Sequence, residues 1–378
     1  MGHHFDTRSV HVTMKRNEGV PTKVTPIHQT SAFTFKNLED IENFYNGERD
    51  YLYTRVGNPN TDELGKAVAN LEAAPSGIAT SSGLSAIMVG ILAIAKAGDH
   101  ILASEDLYGG TYELLANELT SFGIEVSFVS FEKDIETEIR KNTALLYTES
   151  ITNPLLRVED LERVVRIAKK HNLKTMVDNT FATPYLVQPY HLGVNLVVHS
   201  ATKYLGGHSD ITAGVLVGDE DLLTKARTKC VNLGANLSPF EAWLTVKGLK
   251  TLSVRMERHV QNASKLAKAL AKHAAVDKVY YPEFVAEKGN GAIVTIDITN
   301  QANIDTFFES LDWIKIVATL AGVETTVSYP IGTSHRNLPK KSQQALGITK
   351  GLVRISVGIE DVDDIVTTLE NALTKAKK

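Results

Sequence analysis

The segment Val198-His-Ser-Ala-Thr-Lys203-Tyr-Leu-Gly-Gly-His-Ser-Asp210 joins a short apolar run to hydroxyls, a lysine and two glycines. Ser200 and Thr202 can grip a phosphate while Lys203 forms an imine with a carbonyl. An attacking lysine needs a lowered pKa, and a semi-enclosed site supplies one. Asp178, in Val177-Asp-Asn-Thr180, ends the preceding apolar run; a carboxylate there can keep a cofactor's pyridinium nitrogen protonated and so make the ring an electron sink. Each residue has a plainer reading alone. Lys203 could be a surface lysine in a loop, and Asp178 a helix cap or turn residue. Their pairing is what favours chemistry.

Two further stretches add to it. Thr80-Ser-Ser-Gly83-Leu84-Ser85 opens a very apolar helix, and Gly83 lets backbone N–H groups approach a phosphate at a helix N-terminus. Alone, it would be an ordinary serine N-cap. Leu107-Tyr108-Gly109-Gly110-Thr111 sets an aromatic ring beside glycines that clear space, so Tyr108 could stack on a flat cofactor ring. Neither a P-loop nor a G-x-G-x-x-G fingerprint occurs, which weakens ATPase and dehydrogenase readings.

The elements that must hold these residues alternate along the chain. Thr61–Leu71 has helical spacing, with Leu64, Val68 and Leu71 on one face. Ser85–Lys96, Thr111–Phe122 and Asp160–Lys170 also read as helices. His100–Ala103, Val126–Val129, Ala144–Tyr147, Thr175–Val177 and Leu196–His199 are strand-sized and apolar. Continuous apolar strands between helices predict an α/β unit with a mostly parallel sheet covered on both faces. Beyond Gly218 the pattern changes. Glu241–Ala271 reads as long helix interrupted near Gly248. Ala292–Ile298 reads as a strand with one solvated face (Ile293, Thr295, Asp297), Leu352–Val357 as another, and Val362–Lys375 as a terminal helix. This predicts a smaller α+β C-terminal domain. The divisions are residues 1–50 as an N-terminal arm with Pro21 and Pro26, 51–245 as the large domain, and 246–378 as the small one.

The chain has 378 residues, enough for a large domain plus a smaller one, and a formal net charge of −4 that gives no reason to expect nucleic acid or membrane as a partner. One cysteine, Cys230, excludes an intrachain disulfide and fits a reducing compartment; it reads as packed. Met1–Val10 is polar and carries no signal-peptide run, and His3 and His4 read as a solvated tail, so no metal is expected. The expected location is cytoplasmic.

Taken in order, Tyr53-Thr-Arg55 with Gly57-Asn-Pro59, Ser82-Gly83-Leu84, Tyr108-Gly-Gly-Thr111, Asn153-Pro154, Val177-Asp-Asn-Thr-Phe181, Ser200-Ala-Thr-Lys-Tyr204, Gly207-His-Ser-Asp210 and Arg354-Ile-Ser-Val-Gly-Ile-Glu360 resemble the cystathionine and methionine metabolism (trans-sulfuration) family of pyridoxal-phosphate enzymes. Its members include cystathionine γ-synthase, the cystathionine lyases, methionine γ-lyase and O-acetylhomoserine sulfhydrylase. The resemblance runs from about Pro26 to near the C-terminus. It implies an aspartate-aminotransferase-like, fold type I architecture and a homotetramer built of dimers. It implies pyridoxal 5'-phosphate (PLP) as cofactor, held by the large domain, and a small amino acid as substrate. Lys203 would be the Schiff-base lysine and proton shuttle, with Tyr108 stacking on the ring and assisting proton movement. Asp178 would meet the ring nitrogen and Asn153 the phenolic oxygen. Gly83, Leu84, Ser200 and Thr202 would hold the phosphate, joined by Tyr53 and Arg55 of a neighbouring subunit. Arg354 would bind the substrate carboxylate, with Thr319 and Asn153 in the same set.

The chain departs from that family at several distal positions. Leu52 stands where an acidic residue often precedes the Tyr-x-Arg tyrosine, and Ala318-Thr-Leu-Ala-Gly322 replaces a Glu-Ser-Leu-Gly stretch. Glu113 stands where an arginine is frequent, and Gly109 where methionine γ-lyases usually carry cysteine. Loss of two carboxylates removes partners for a distal ammonium, which is costly to bury unpaired. An apolar Leu52 and Ala318 fit a thiomethyl or acetyl-ester group, although Glu113 could itself bind an ammonium. The expected reaction is elimination or replacement at a Cγ (or Cβ) heteroatom bond, with a carbon–sulfur lyase favoured. The alternatives are an O-acetylhomoserine sulfhydrylase or cystathionine γ-synthase type transferase and, more remotely, a non-catalytic regulatory member.

Overall fold

The structure, a computed structural model, describes residues 3–12 and 22–378; Met1, Gly2 and residues 13–21, including Pro21, lie outside the described residues. Seven strands form the larger sheet: β1 (Ser76–Thr80), β2 (His100–Ser104), β3 (Glu125–Val129), β4 (Thr143–Glu149), β5 (Lys174–Asp178), β6 (Leu196–Ser200) and β7 (Gly214–Gly218). Their order is β1-β7-β6-β5-β4-β2-β3. The pairs from β3 to β6 are parallel, and β7 lies antiparallel between β6 and β1. The sheet is thus mostly parallel. The sequence reading missed β1 and β7, whose Gly and Ser content hides the apolar run.

Alternation explains why both faces are covered. Val177 and Val197 enter one core with the helix Pro59–Glu72, while Met176, Leu196 and Val198 enter another with the helix Gly83–Ile94. Successive side chains on a strand point to opposite faces, so a run buried on both must be apolar throughout. The expected helix over Thr111–Phe122 is present, but Leu114–Glu118 forms a π turn within it.

The second sheet contains β8 (Lys278–Tyr280), β9 (Ile293–Asp297), β10 (Lys315–Ile316), β11 (Thr326–Ser328) and β12 (Leu352–Ser356), in the order β10-β11-β12-β9-β8. The expected solvated face of β9 is absent: all five of its residues are buried. Thr295 donates to the Pro154 carbonyl at 2.8 Å, and Asp297 accepts from Thr299 and Thr349. These polar side chains are satisfied by protein in place of water.

The long helical stretch divides into Pro239–Leu249 and Leu252–Leu270. The first crosses the expected 245/246 boundary. The break has a function in packing. A Cβ on Gly248 would lie 2.3 Å from the Gly206 carbonyl, so only glycine lets this helix end approach the turn after Lys203. Arg255, 4% exposed, then donates to the carbonyls of Tyr204 (2.8 Å) and Gly248 (2.9 Å). The lysine turn is thereby clamped from the small-sheet side. Among the described residues no helix is long and apolar enough to cross a membrane.

Candidate active site

The carboxyl ends of β4, β5 and β6 open onto a cavity of about 220 Å³, where ligands sit in open α/β sheets. Its walls bring together Gly83, Leu84, Tyr108, Asn153, Asp178, Ser200, Thr202, Lys203 and Arg354, residues scattered over much of the sequence. Thr319 joins them by accepting a hydrogen bond from Lys203 Nζ at 2.7 Å. Tyr53 and Arg55 do not line this cavity. Arg55 donates to the Val231 carbonyl at 3.2 Å, and Tyr53 is 42% exposed.

Each wall has a local cause. Ser82 caps the helix Gly83–Ile94 through a 3.1 Å bond from the Ser85 N–H. The first N–H groups of a helix have no partner within it, so those of Gly83 and Leu84 are available to an anion. A Cβ on Gly83 would lie 2.8 Å from Ser200 Cβ, so glycine lets the helix end reach the turn beyond β6. Ser200 N–H donates to Thr180 Oγ1 at 2.8 Å, and the Thr202 hydroxyl exchanges hydrogen bonds with Ala213. The Lys203 carbonyl accepts from Gly207 N–H at 2.7 Å, which closes the turn around the amine.

Electrostatics prepare the amine. Burial, then the nearby Arg354 guanidinium, lower the Lys203 pKa from 10.5 to about 8. Arg354 is 3% exposed and donates to Asn153 Oδ1 at 3.0 Å, and its Nε has no protein partner. A buried guanidinium lining a cavity is suited to a carboxylate. His335 Nε2–H donates to the Asn153 carbonyl (2.9 Å); burial and then Arg354 hold its pKa down at about 4, so it is neutral near pH 7.

Sequence reasoning missed Glu149, Thr180, Phe181 and Ser334, which also line the cavity. Glu149 carried a legible signal, since it ends an apolar run as Asp178 does. Ser334 carried none; it arrives from the small-sheet side, and its carbonyl would lie 1.8 Å from a Cβ on Gly109. Gly109→Ala should therefore destabilise the fold by about 1–3 kcal/mol, because backbone must move to admit the methyl. A thermal melt indistinguishable from wild type would contradict this packing. Of the departing positions, Ala318 lines the cavity, with Leu320 and Ile151. Glu113 does not; its carboxylate accepts from Asn117 Nδ2 at 2.7 Å. Leu52 does not either, and its carbonyl accepts from Phe33 N–H at 3.0 Å.

The cavity fits a phosphorylated aldehyde cofactor: a helix end for the anion, a low-pKa amine for the aldehyde, and a carboxylate for a ring nitrogen. A family model described as "Cys/Met metabolism PLP-dependent enzyme" matches residues 6–374. L-methionine gamma-lyase from Fusobacterium nucleatum subsp. nucleatum is 40% identical over 387 residues, covering 98% of each chain. Cystathionine beta-lyase from Lactococcus lactis subsp. cremoris is 38% identical over 382 residues, again covering 98% of each. A solved structure from Campylobacter jejuni subsp. jejuni, assigned as an O-acetylhomoserine (thiol)-lyase and carrying N'-pyridoxyl-lysine-5'-monophosphate, superposes with a TM-score of 0.92 at 29% identity, over 98% of this chain and all of that one. The chain belongs to the Cys/Met metabolism PLP-dependent enzyme family; it is a fold type I enzyme, and its cofactor is pyridoxal 5'-phosphate.

Proposed function

We propose, from that membership, that this enzyme is a carbon–sulfur lyase acting at Cγ in preference to Cβ of a sulfur amino acid, with Lys203 holding the cofactor. The observation that carries the reading is one cavity in which Lys203, Asp178 and Arg354 meet an apolar wall of Ala318, Leu320 and Ile151. Gly83, Leu84, Ser200 and Thr202 bind the cofactor's phosphate, and Asp178 its ring nitrogen. Tyr108 would stack on the ring, and Asn153 would meet its phenolic oxygen. Bound there, PLP supplies an electron sink for the bonds at Cα. Arg354, with Asn153 and Thr319, orients the substrate carboxylate. The free Lys203 amine would take the proton from Cα, and the Tyr108 hydroxyl would assist proton transfer near Cγ.

The wall at Ala318 offers no carboxylate to a distal ammonium, and Glu113 is turned to Asn117, so a short apolar γ-substituent suits the cavity better than cystathionine's distal half. The Ser334 carbonyl occupies the space beside Gly109, which argues against a standard methionine γ-lyase with cysteine there. The apolar wall equally admits an acetyl ester, so a transferase using O-acetylhomoserine and a thiol is the second reading. The enzyme works as a cytoplasmic homotetramer, a dimer of dimers, in which Tyr53 and Arg55 reach the phosphate of a partner subunit. Their exposure here, with Leu38 at 80% and Tyr45 at 69%, supports a covered face. We place the domain division at Lys250-Thr251, where the helices break.

The holoenzyme should be incubated separately with cystathionine, methionine and O-acetylhomoserine, and any keto acid identified by mass. 2-Ketobutyrate without added thiol supports γ-elimination. Pyruvate from cystathionine would reverse the regiochemistry. A thioether formed only when thiol is added would favour the transferase.

Loading of cofactor into stripped enzyme should also depend on pH. Only the neutral amine attacks an aldehyde, and the Lys203 pKa is lowered to about 8, so the rate should rise with pH and reach its midpoint near there. The same depression makes the cofactor-free fold less stable below pH about 8, a cost relieved as pH rises toward 10.5, where an unfolded lysine also releases its proton. A loading rate flat across this range would contradict the assignment of Lys203.

A further inference from the structure

Glu149 ends β4 and Asp178 ends β5, and the two are Cα partners in a parallel ladder. Paired residues send their side chains to the same face, and adjacent strands lie about 4.8 Å apart. Both side chains line the cavity, and Glu149 is 5% exposed. Two carboxyls so placed, Glu149 buried and Asp178 half-buried, make it costly to ionise both. Glu149 Oε1 also accepts the Tyr108 N–H at 2.8 Å, which ties it to the backbone of the residue covering the ring.

We propose that Glu149 is a positioning residue: it stays in the carboxylic acid form beside ionised Asp178 and, through the Tyr108 N–H, fixes the ring of Tyr108 over the cofactor. This rests on the reading that Asp178 meets the cofactor's ring nitrogen.

The surroundings decide which partner keeps the proton. Asp178 Oδ1 accepts the Thr180 N–H at 2.9 Å, and the field of His199 favours its charged form. Glu149 faces like charge from Asp178 and Asp106, which disfavours its ionisation. Arg157, which favours the charged form of Glu149, is engaged by Glu159 at 3.2 Å and lies near Asp106 and Glu132. Burial raises both carboxyl groups, but Glu149 is raised well above the usual carboxylate range. Tyr147 sits fully buried on the same face of β4, and Lys203 and Arg354 line the same cavity. Environments that separate two neighbouring carboxyls in this way assign one as acid and one as base. The neutral carboxyl keeps an acceptor for Tyr108 and presents a hydroxyl that can donate to Asp178.

The test uses the holoenzyme and the variants E149Q, E149A and D178N. Glutamine keeps the shape, an acceptor and a donor without charge. Infrared difference spectra, wild type minus E149Q, should show a protonated-carboxyl carbonyl band at neutral pH. E149Q should hold the cofactor within about twofold of wild type, while E149A, which leaves the Tyr108 N–H unpaired, should lose about tenfold or more. D178N should also lose cofactor affinity. A difference spectrum with only carboxylate bands, or E149Q weakened as far as E149A, would overturn the proposal while leaving the Asp178 reading intact. D178N that binds cofactor like wild type would instead sink the reading beneath it.

Discussion

Lys203→Ala is expected to lower turnover by roughly 10³-fold or more, the range lost when a positioned acid–base group is removed, with the nucleophile lost as well. The variant should fold, since Lys203 Nζ makes one side-chain bond, to Thr319 Oγ1, and the turn around it is held by Gly207, Gly248 and Arg255. Borohydride treatment of wild-type holoenzyme should fix the cofactor to the peptide containing Lys203, and the variant should show no such adduct. Near wild-type turnover, or an adduct on another lysine, would remove Lys203 from the chemistry. Intermediate loss with free amines restoring rate would fit the assignment, because the cavity would still position an external base.

Arg354→Gln should act on the other half of the substrate. Removing one partner of a buried, hydrogen-bonded charge pair costs about 2–5 kcal/mol, or a rise of roughly 30- to 5,000-fold in KM for an amino-acid substrate. Cofactor binding should change much less, since the side-chain hydrogen bond of Arg354 goes to Asn153 and not to the residues at the phosphate end. A second consequence separates this from general damage. The Arg354 charge is one cause of the lowered Lys203 pKa, so its loss should move the midpoint of cofactor loading upward from about 8. Unchanged KM with an unchanged midpoint would place the carboxylate elsewhere.

Much of the site was legible because its residues follow apolar runs. Asp178 and Ser200 end strands, and Lys203 lies in the turn that follows; in a parallel sheet, strand ends converge on one edge. Glu149 obeys the same rule, but Asp178 becomes adjacent to it only through strand pairing. The apolar alternation of β9 suggested a wet face, but Thr295 meets the Pro154 carbonyl, a contact between distant segments that no local pattern encodes.

By itself, the order of motifs from Tyr53-Thr-Arg55 to Arg354 determined the family, the cofactor and the identity of the reactive lysine as an expectation, because the chemistry needs those residue types at strand ends. Only the tertiary structure decided the rest. It brought Arg354 close enough to lower the Lys203 pKa and set the Ser334 carbonyl against Gly109. The physical reason is range. Strand ends and helix caps are set by neighbours in sequence, whereas a pocket's charge and its distal wall are set by elements hundreds of positions apart, packed by cores that sequence spacing does not reveal.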